Sequence, residues 1–218
     1  MARPPKYEQH LDTEDGHDGF SSIAPHFWRT AEKLRSDAIQ QTVNQSPPMH
    51  WTIHSAICLY HAALDCFLNE EVTICGMLTG IPLETRGYEV QKLTLHSAKL
   101  DKFFSFFRLE ARRTPEISRR VLLLAGLRNR LGHHWPVLRD TRDYPVQVID
   151  ALVDAGIERI NTSWTAQCSD VRLAEWAANI VRAFVDQWWR IGREPGELER
   201  LSWAFGPDII YPSEKPAS

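Results

Sequence analysis

Apolar residues recur at helical spacing along most of this chain, and prolines, glycines and polar clusters mark where each helix stops. Phe27, Ala31, Leu34, Ala38 and Val43 form the first set, over Pro25 to about Gln45. Pro47-Pro48 ends it, because proline lacks the backbone donor a helix needs. The clearest pattern runs from His50 to about Ile74, where Ile53, Ile57, Tyr60, Leu64 and Phe67 share one face. Gly76, Gly80, Pro82 and Gly87 predict a connecting loop. Leu93, Leu100, Phe103, Phe104 and Phe107 are the apolar set of a Phe-rich helix. Thr114, Pro115 and Glu116 then write a helix start: a capping side chain, a fixed φ, and an anion at the positive end of the dipole. That helix runs to about His134 and stops at Pro136. Pro145 opens a shorter one closed by Gly156, and Ser169-Asp170 caps a long helix through Trp188-Trp189 to Gly192. No alternating strand pattern extends beyond a few residues. The predicted fold class is all-α, an antiparallel helical bundle.

The two ends differ from this middle. Residues 1–20 carry Glu8, Asp12, Glu14, Asp15 and Asp18 with no apolar period, which predicts a disordered acidic arm. Residues 193–218 keep Trp203, Phe205, Ile209 and Ile210 among glycines and prolines, which predicts an extended tail docked on the bundle. Residues 21–192 are then a single helical domain, a size the 218-residue length accommodates. A net charge of −3 argues against a surface that binds polyanions everywhere, so nucleic-acid contact needs a local patch. One candidate patch spans Arg108 to Arg142, with nine arginines against Glu110, Glu116 and Asp140. The longest apolar run, Val121 to Leu127, is far short of the ~20 residues of a membrane span, and no apolar signal segment opens the chain. Cys58, Cys66, Cys75 and Cys168 lack C-x-x-C spacing and read as free thiols in a reducing compartment. The expectation is a soluble cytoplasmic protein with no membrane contact.

Chemistry is concentrated at Leu127-Arg128-Asn129-Arg130-Leu131-Gly132-His133-His134. The apolar stripe Ile117, Val121, Leu124 reaches Arg128 where it calls for another apolar residue, then resumes at Leu131 and Trp135. The neighbouring stripe, Leu122 and Ala125, leads likewise to Asn129 and His133. Burying such groups is costly unless they are paired or line a wet cleft. Asn129 and His133 are one turn apart, so the amide can orient the imidazole. Arg128 and His133 lie roughly 140° apart on an ideal helix, within reach of one point given arginine's length. A guanidinium that grips phosphate beside an imidazole that moves a proton suits phosphodiester cleavage.

Arg128-Asn129 followed by His133 at a helix C-terminus resembles the R-X4–6-H motif of the HEPN superfamily (higher eukaryotes and prokaryotes nucleotide-binding domains). The stretches Ala62-Ala63-Leu64-Asp65 with Phe67-Leu68-Asn69-Glu70, and Ala174-Glu175-Trp176-Ala177-Ala178-Asn179, are similar to the second and last helices of such proteins. The likeness spans roughly Trp28 to Trp189, with the short motif its specific part. The resemblance implies a HEPN-type bundle that dimerises so that two motifs share one cleft. It also implies a metal-independent endoribonuclease of the toxin or defence kind, with no cofactor, acting on RNA and in some cases restrained by a cognate antitoxin protein. Arg128, Asn129 and His133 are then the catalytic set. His134 is an alternative histidine, and Arg130, His61, Asp65 and Asn69 are auxiliary candidates.

Other readings stand beside it. A non-catalytic HEPN module would bind RNA, a nucleotide or a partner protein. A cationic helix C-terminus is also ordinary dipole complementation, with Arg128 paired to Asp65 or a carbonyl. Finally, His54, Cys58, His61, Asp65 and Asn69 form a polar stripe opposite the aliphatic face. Its His50/His54 and His61/Asp65 pairs have the spacing of metal ligands on a helix, the basis of a metal-dependent hydrolase alternative. One helix seldom supplies a whole metal site, so a half-buried stripe bordering the Arg128 cleft is preferred.

Overall fold

The computed structural model describes residues 23–44, 50–79, 90, 93, 95–107, 109–110, 113–132, 143–160 and 162–192, with backbone alone at 50, 74–79 and 189–192. The expected acidic arm (1–20) and docked tail (193–218) lie outside these residues. So do His133, His134 and the loop containing Gly80, Pro82 and Gly87. Among the described residues the chain is all helical: α1 (Ala24–Val43), α2 (His50–Thr79), α3 (Ser97–Phe106), α4 (Pro115–Gly132), α5 (Val146–Asp154), α6 (Trp164–Gln167) and α7 (Val171–Gly192). Among them, no helix is long and apolar enough to cross a membrane.

The apolar face read from α2 is the centre of the core. Ile53, Ile57, Tyr60 and Leu64 are wholly buried and Phe67 nearly so. Helix α2 extends to Thr79, past the expected stop near Ile74. In α1 the buried aromatic is Trp28, with Phe27 partly buried, and Val43 is exposed. The Phe-rich helix gathers Phe103, Phe104 and Phe107 against Phe184 and Trp188 of α7 in edge-on and tilted contacts, with centroids 4.6–6.3 Å apart. Gly156 closes α5 in the left-handed conformation (φ 66°) that spares a glycine the clash of a Cβ. The four-residue α6, capped by Ser163 Oγ, was not legible from periodicity because it is barely one turn long.

Polar contacts fix the directions of the long helices. Glu70 near the end of α2 accepts from the backbone N–H groups of Ile23 and Ala24 at the start of α1, at 2.6 and 3.0 Å, while Tyr60 donates to Glu32 further along. Helices α1 and α2 are therefore antiparallel. Glu71 accepts from Trp188 Nε1, and His54 meets the Thr165 carbonyl just ahead of α7, so α2 and α7 run the same way. Gln187 near the end of α7 hydrogen-bonds Thr114 at the start of α4, and Arg130 near the end of α4 lies over Trp164, so α4 opposes α7. The bundle is a central parallel pair, α2 and α7, each packed against antiparallel α1 and α4. Helix α5 lies on α4, where Gly126 lets the Gln147 side chain approach.

Asp154 locks that outer layer. Its carboxylate accepts from Arg119 (2.5 Å), Arg120 (2.8 Å) and Trp176 Nε1 (2.7 Å), joining α5, α4 and α7. Burial alone would raise its pKa, but the hydrogen bonds from Trp176, Arg119 and Arg120 hold it below the usual carboxylate value. Asp154→Ala strands these donors and should cost on the order of 3 kcal/mol in urea unfolding. Asp150→Ala, at an exposed position of the same helix, should stay within about 0.5 kcal/mol of the parent.

Candidate functional site

The break in the α4 stripe survives folding. Ile117, Val121 and Leu124 are buried, and Arg128 continues their line half-buried, followed by half-buried Leu131. The neighbouring stripe behaves differently: Ala125 is buried but Asn129 is exposed, because the packing against α4 thins toward its last turn. Among the described residues an added Cβ at Gly132 would meet nothing within 4 Å, and Gly132 is exposed. Asn129 Oδ1 accepts from Arg128 Nη1 at 3.1 Å, which orients the guanidinium from its own helix.

Of the described arginines between 108 and 132, those at the start of α4 are neutralised. Arg113 pairs with Asp101, Arg119 with Glu116 and Asp154, and Arg120 with Asp154. Arg128 and Arg130 have no carboxylate partner among the described residues. Arg130 is exposed, with its guanidinium 5.6 Å from the centroid of the Trp164 ring. Among the described residues the positive charge of this helix is left without a carboxylate at its C-terminal end, where the dipole also favours a cation.

Helix α2 packs against α4, and the Arg128 charge is felt at both Cys58 and His61 of its polar stripe. His61 is 7% exposed. Burial pushes its imidazole down to about 4, reinforced by Arg128 and Lys99 and opposed by Asp65, so the ring is uncharged near neutral pH. Burial raises the Cys58 thiol, with Arg128 pulling the other way. Cys58, Cys66 and Cys168 are all free thiols.

Asp65 does not pair with Arg128, as the purely structural reading allowed. It accepts from Lys99 of α3 at 2.6 Å, and that lysine is wholly buried. Sequence reasoning missed Lys99, although it falls four residues before Phe103 on an apolar line, the same kind of interruption that marked Arg128. Asn69 lies a turn beyond Asp65, with its Oδ1 buried and without a hydrogen-bond partner. His54 is engaged with the Thr165 carbonyl at 3.2 Å, so the metal-ligand reading of the stripe loses His54 to one carbonyl and Asp65 to a lysine. Among the described residues no three His, Cys, Asp or Glu side chains are grouped to hold a metal. Arg128, Asn129, His61 and Asp65 are brought to one region, Arg130 faces α6, and His133 and His134 lie outside the described residues. No family model, curated protein or solved structure matches the chain.

The buried imidazole has a measurable consequence. Unfolded, His61 takes a proton near its ordinary 6.5; folded, it resists until about 4. The unfolded state therefore binds more protons between these values. Its contribution to stability is complete above about pH 6.5 and is lost as pH falls toward 4, at most on the order of 3 kcal/mol. Urea midpoints for the parent should fall over that window, and His61→Gln should flatten the fall. An unchanged pH dependence in the variant would mean that His61 is not the group responsible.

Proposed function

We propose that this protein is a metal-independent endoribonuclease of the HEPN type, with Arg128 and His133 as its working pair in a cleft completed by a second copy. The observation that carries this reading is Arg128, a half-buried residue on the apolar line of α4 with no carboxylate partner among the described residues. Its planar fork of donors matches two phosphate oxygens.

In the proposed reaction the substrate's 2′-OH attacks the adjacent phosphorus and the 5′-oxygen leaves. The 2′-OH proton passes to the site and the leaving oxygen gains one, so the products are a 2′,3′-cyclic phosphate and a 5′-hydroxyl. His133 moves the proton, and Arg128 holds the phosphate as charge grows on its oxygens. Asn129 is a positioning residue, because its carbonyl oxygen holds Arg128 Nη1. The uncharged His61 forms the inner wall without adding a second cation. Helix α4 leaves Asn129, Arg130 and Gly132 exposed at the open end, where a partner copy would approach.

Two measurements test this reading. In gels of labelled single-stranded RNA, His133→Ala should lower cleavage at least ~100-fold while largely keeping binding. Arg128→Ala should lose both, Asn129→Ala should be intermediate, and loss in His134→Ala with His133→Ala active would transfer the role to His134. Excess chelator should change nothing, and DNA of the same sequence should survive. Binding without cleavage by the parent protein, still dependent on Arg128, would identify a non-catalytic RNA module instead. Light scattering at micromolar concentration should give twice the 25.1 kDa chain mass. A monomer there would remove the shared cleft.

A further inference from the structure

We propose that the start of α5 is a two-fold contact between copies of this chain, with Val146 at its centre and Asp150 of each copy paired to Arg130 of the other. This rests on the two-copy cleft of the proposed function and adds which face closes it. Val146, Val153 and Ile160 are 60%, 73% and 61% exposed, and all three belong to α5 or the short stretch after it. The other large apolar side chains left open among the described residues, Ile23, Val43 and Trp51, are dispersed at the ends of α1 and α2. Exposed aliphatics gathered on one element mark a surface that meets something.

Helix α5 runs antiparallel to α4. Asp154 bonds Arg119 and Arg120 near the start of α4, and Gln147 Cγ lies 3.4 Å from where a Cβ on Gly126 would stand. Arg119, Leu123, Gly126 and Arg130 repeat at i, i+4, i+7 and i+11, so Arg130 continues the face that α5 covers. It stands one turn, about 6 Å, beyond Gly126, and so emerges at the start of α5 beside Val146. The stretch after α5 returns to the same end. Tyr144 donates to the Ile160 carbonyl at 3.4 Å and to Gln167 of α6, the helix whose Trp164 lies under the Arg130 guanidinium. In the other direction Asp150 is one turn, about 6 Å, along α5 from Val146, also exposed.

The order along this surface is cation, aliphatic, anion. Asp150 makes no ion pair among the described residues, and exposed Asp143, just ahead of α5, does not pair with Arg130. The ring contact of Arg130 with Trp164 uses none of its hydrogen-bond donors. A two-fold contact sets residue i against j and j against i. Turning such a line about Val146 lays valine on valine and brings an anion to a cation on both sides, so the surface is complementary to itself. Sliding the contact along α5 toward Val153 would instead set Asp150 against Asp150, and like charges there fix the register. The last turn of α4, with Arg128 two residues from Arg130, then approaches the junction from both copies, as a shared cleft requires.

The test uses the full chain and reads mass by light scattering over a concentration series. The parent should be a dimer of the 25.1 kDa chain, and Val146→Asp should be a monomer that is still folded by circular dichroism. Asp150→Arg and Arg130→Asp should each raise the dimer dissociation constant at least ~10-fold, and the two together should restore most of the lost affinity. Glu175→Arg, at an exposed position of α7, should leave the constant unchanged. A dimer that survives Val146→Asp, or charge reversals that do not recover in combination, would overturn this face and leave a shared cleft to be closed by another. A monomeric parent would overturn the face and the shared cleft together, and a fall in its urea midpoint with Val146→Asp would assign the valine to cover from its own chain. Mass is read without RNA, so a dimer with these variant effects and no cleavage would uphold the contact while the ribonuclease reading fails.

Discussion

A thirty-residue helix packed against four others turns many of its polar side chains inward, and most of these on α2 are satisfied within the protein. Tyr60 reaches Glu32, which also takes Arg35 and Arg182. Asp65 takes Lys99, Glu71 takes the Trp188 indole, and one carboxylate oxygen of Glu70 accepts from two backbone N–H groups at the start of α1. Each pairing also fixes a neighbour's register, because a shift of one helical turn would strand a buried donor or acceptor. The specificity of the bundle lies in these contacts, and the apolar stripes supply the burial that makes mismatch expensive.

The same constraint places the Arg128 site. Asp65, the carboxylate of α2 nearest the region, is occupied by a lysine that has no water to turn to. The Arg128 charge is felt instead at an uncharged imidazole and a raised-pKa thiol of α2, and among the described residues its hydrogen-bond partner is the amide of Asn129. At the other end of α4, Asp154 and Glu116 absorb Arg119 and Arg120. The helix is consequently polarised, with its charge cancelled where it packs under α5 and left standing where it opens.

How much of this was legible follows from which forces are local. Ile53 through Phe67, the start at Pro115 and the stop at Gly156 were readable, because periodicity, proline geometry and the left-handed region act within a few residues. Arg128 was readable because it interrupts such a period. Its partners were not: Lys99 lies 34 residues from Asp65, Arg120 lies 34 from Asp154, and Arg182 lies 150 from Glu32. Nothing in the neighbourhood of one carboxylate says which distant cation the fold will bring to it. Asn129 shows a subtler limit. It falls on an apolar stripe, yet is exposed, because a stripe states which face is inward and not where along the helix the packing ends.

That last point separates the two polar residues that break the α4 pattern. At Asn129 the fold has already opened, so an amide there costs little and its role is to hold Arg128. At 128 the fold has not opened: the line of Ile117, Val121 and Leu124 is still partly covered, and a leucine would continue it without desolvating a charge. An arginine in that slot, with no carboxylate partner among the described residues, gives up apolar packing that a leucine would supply. Departures of this kind, where a local rule is broken and nothing nearby compensates, concentrate at sites kept for binding or chemistry. His61 fits the same account from the other wall. Burial and the charges of Arg128 and Lys99 keep its imidazole neutral, with Asp65 opposing them.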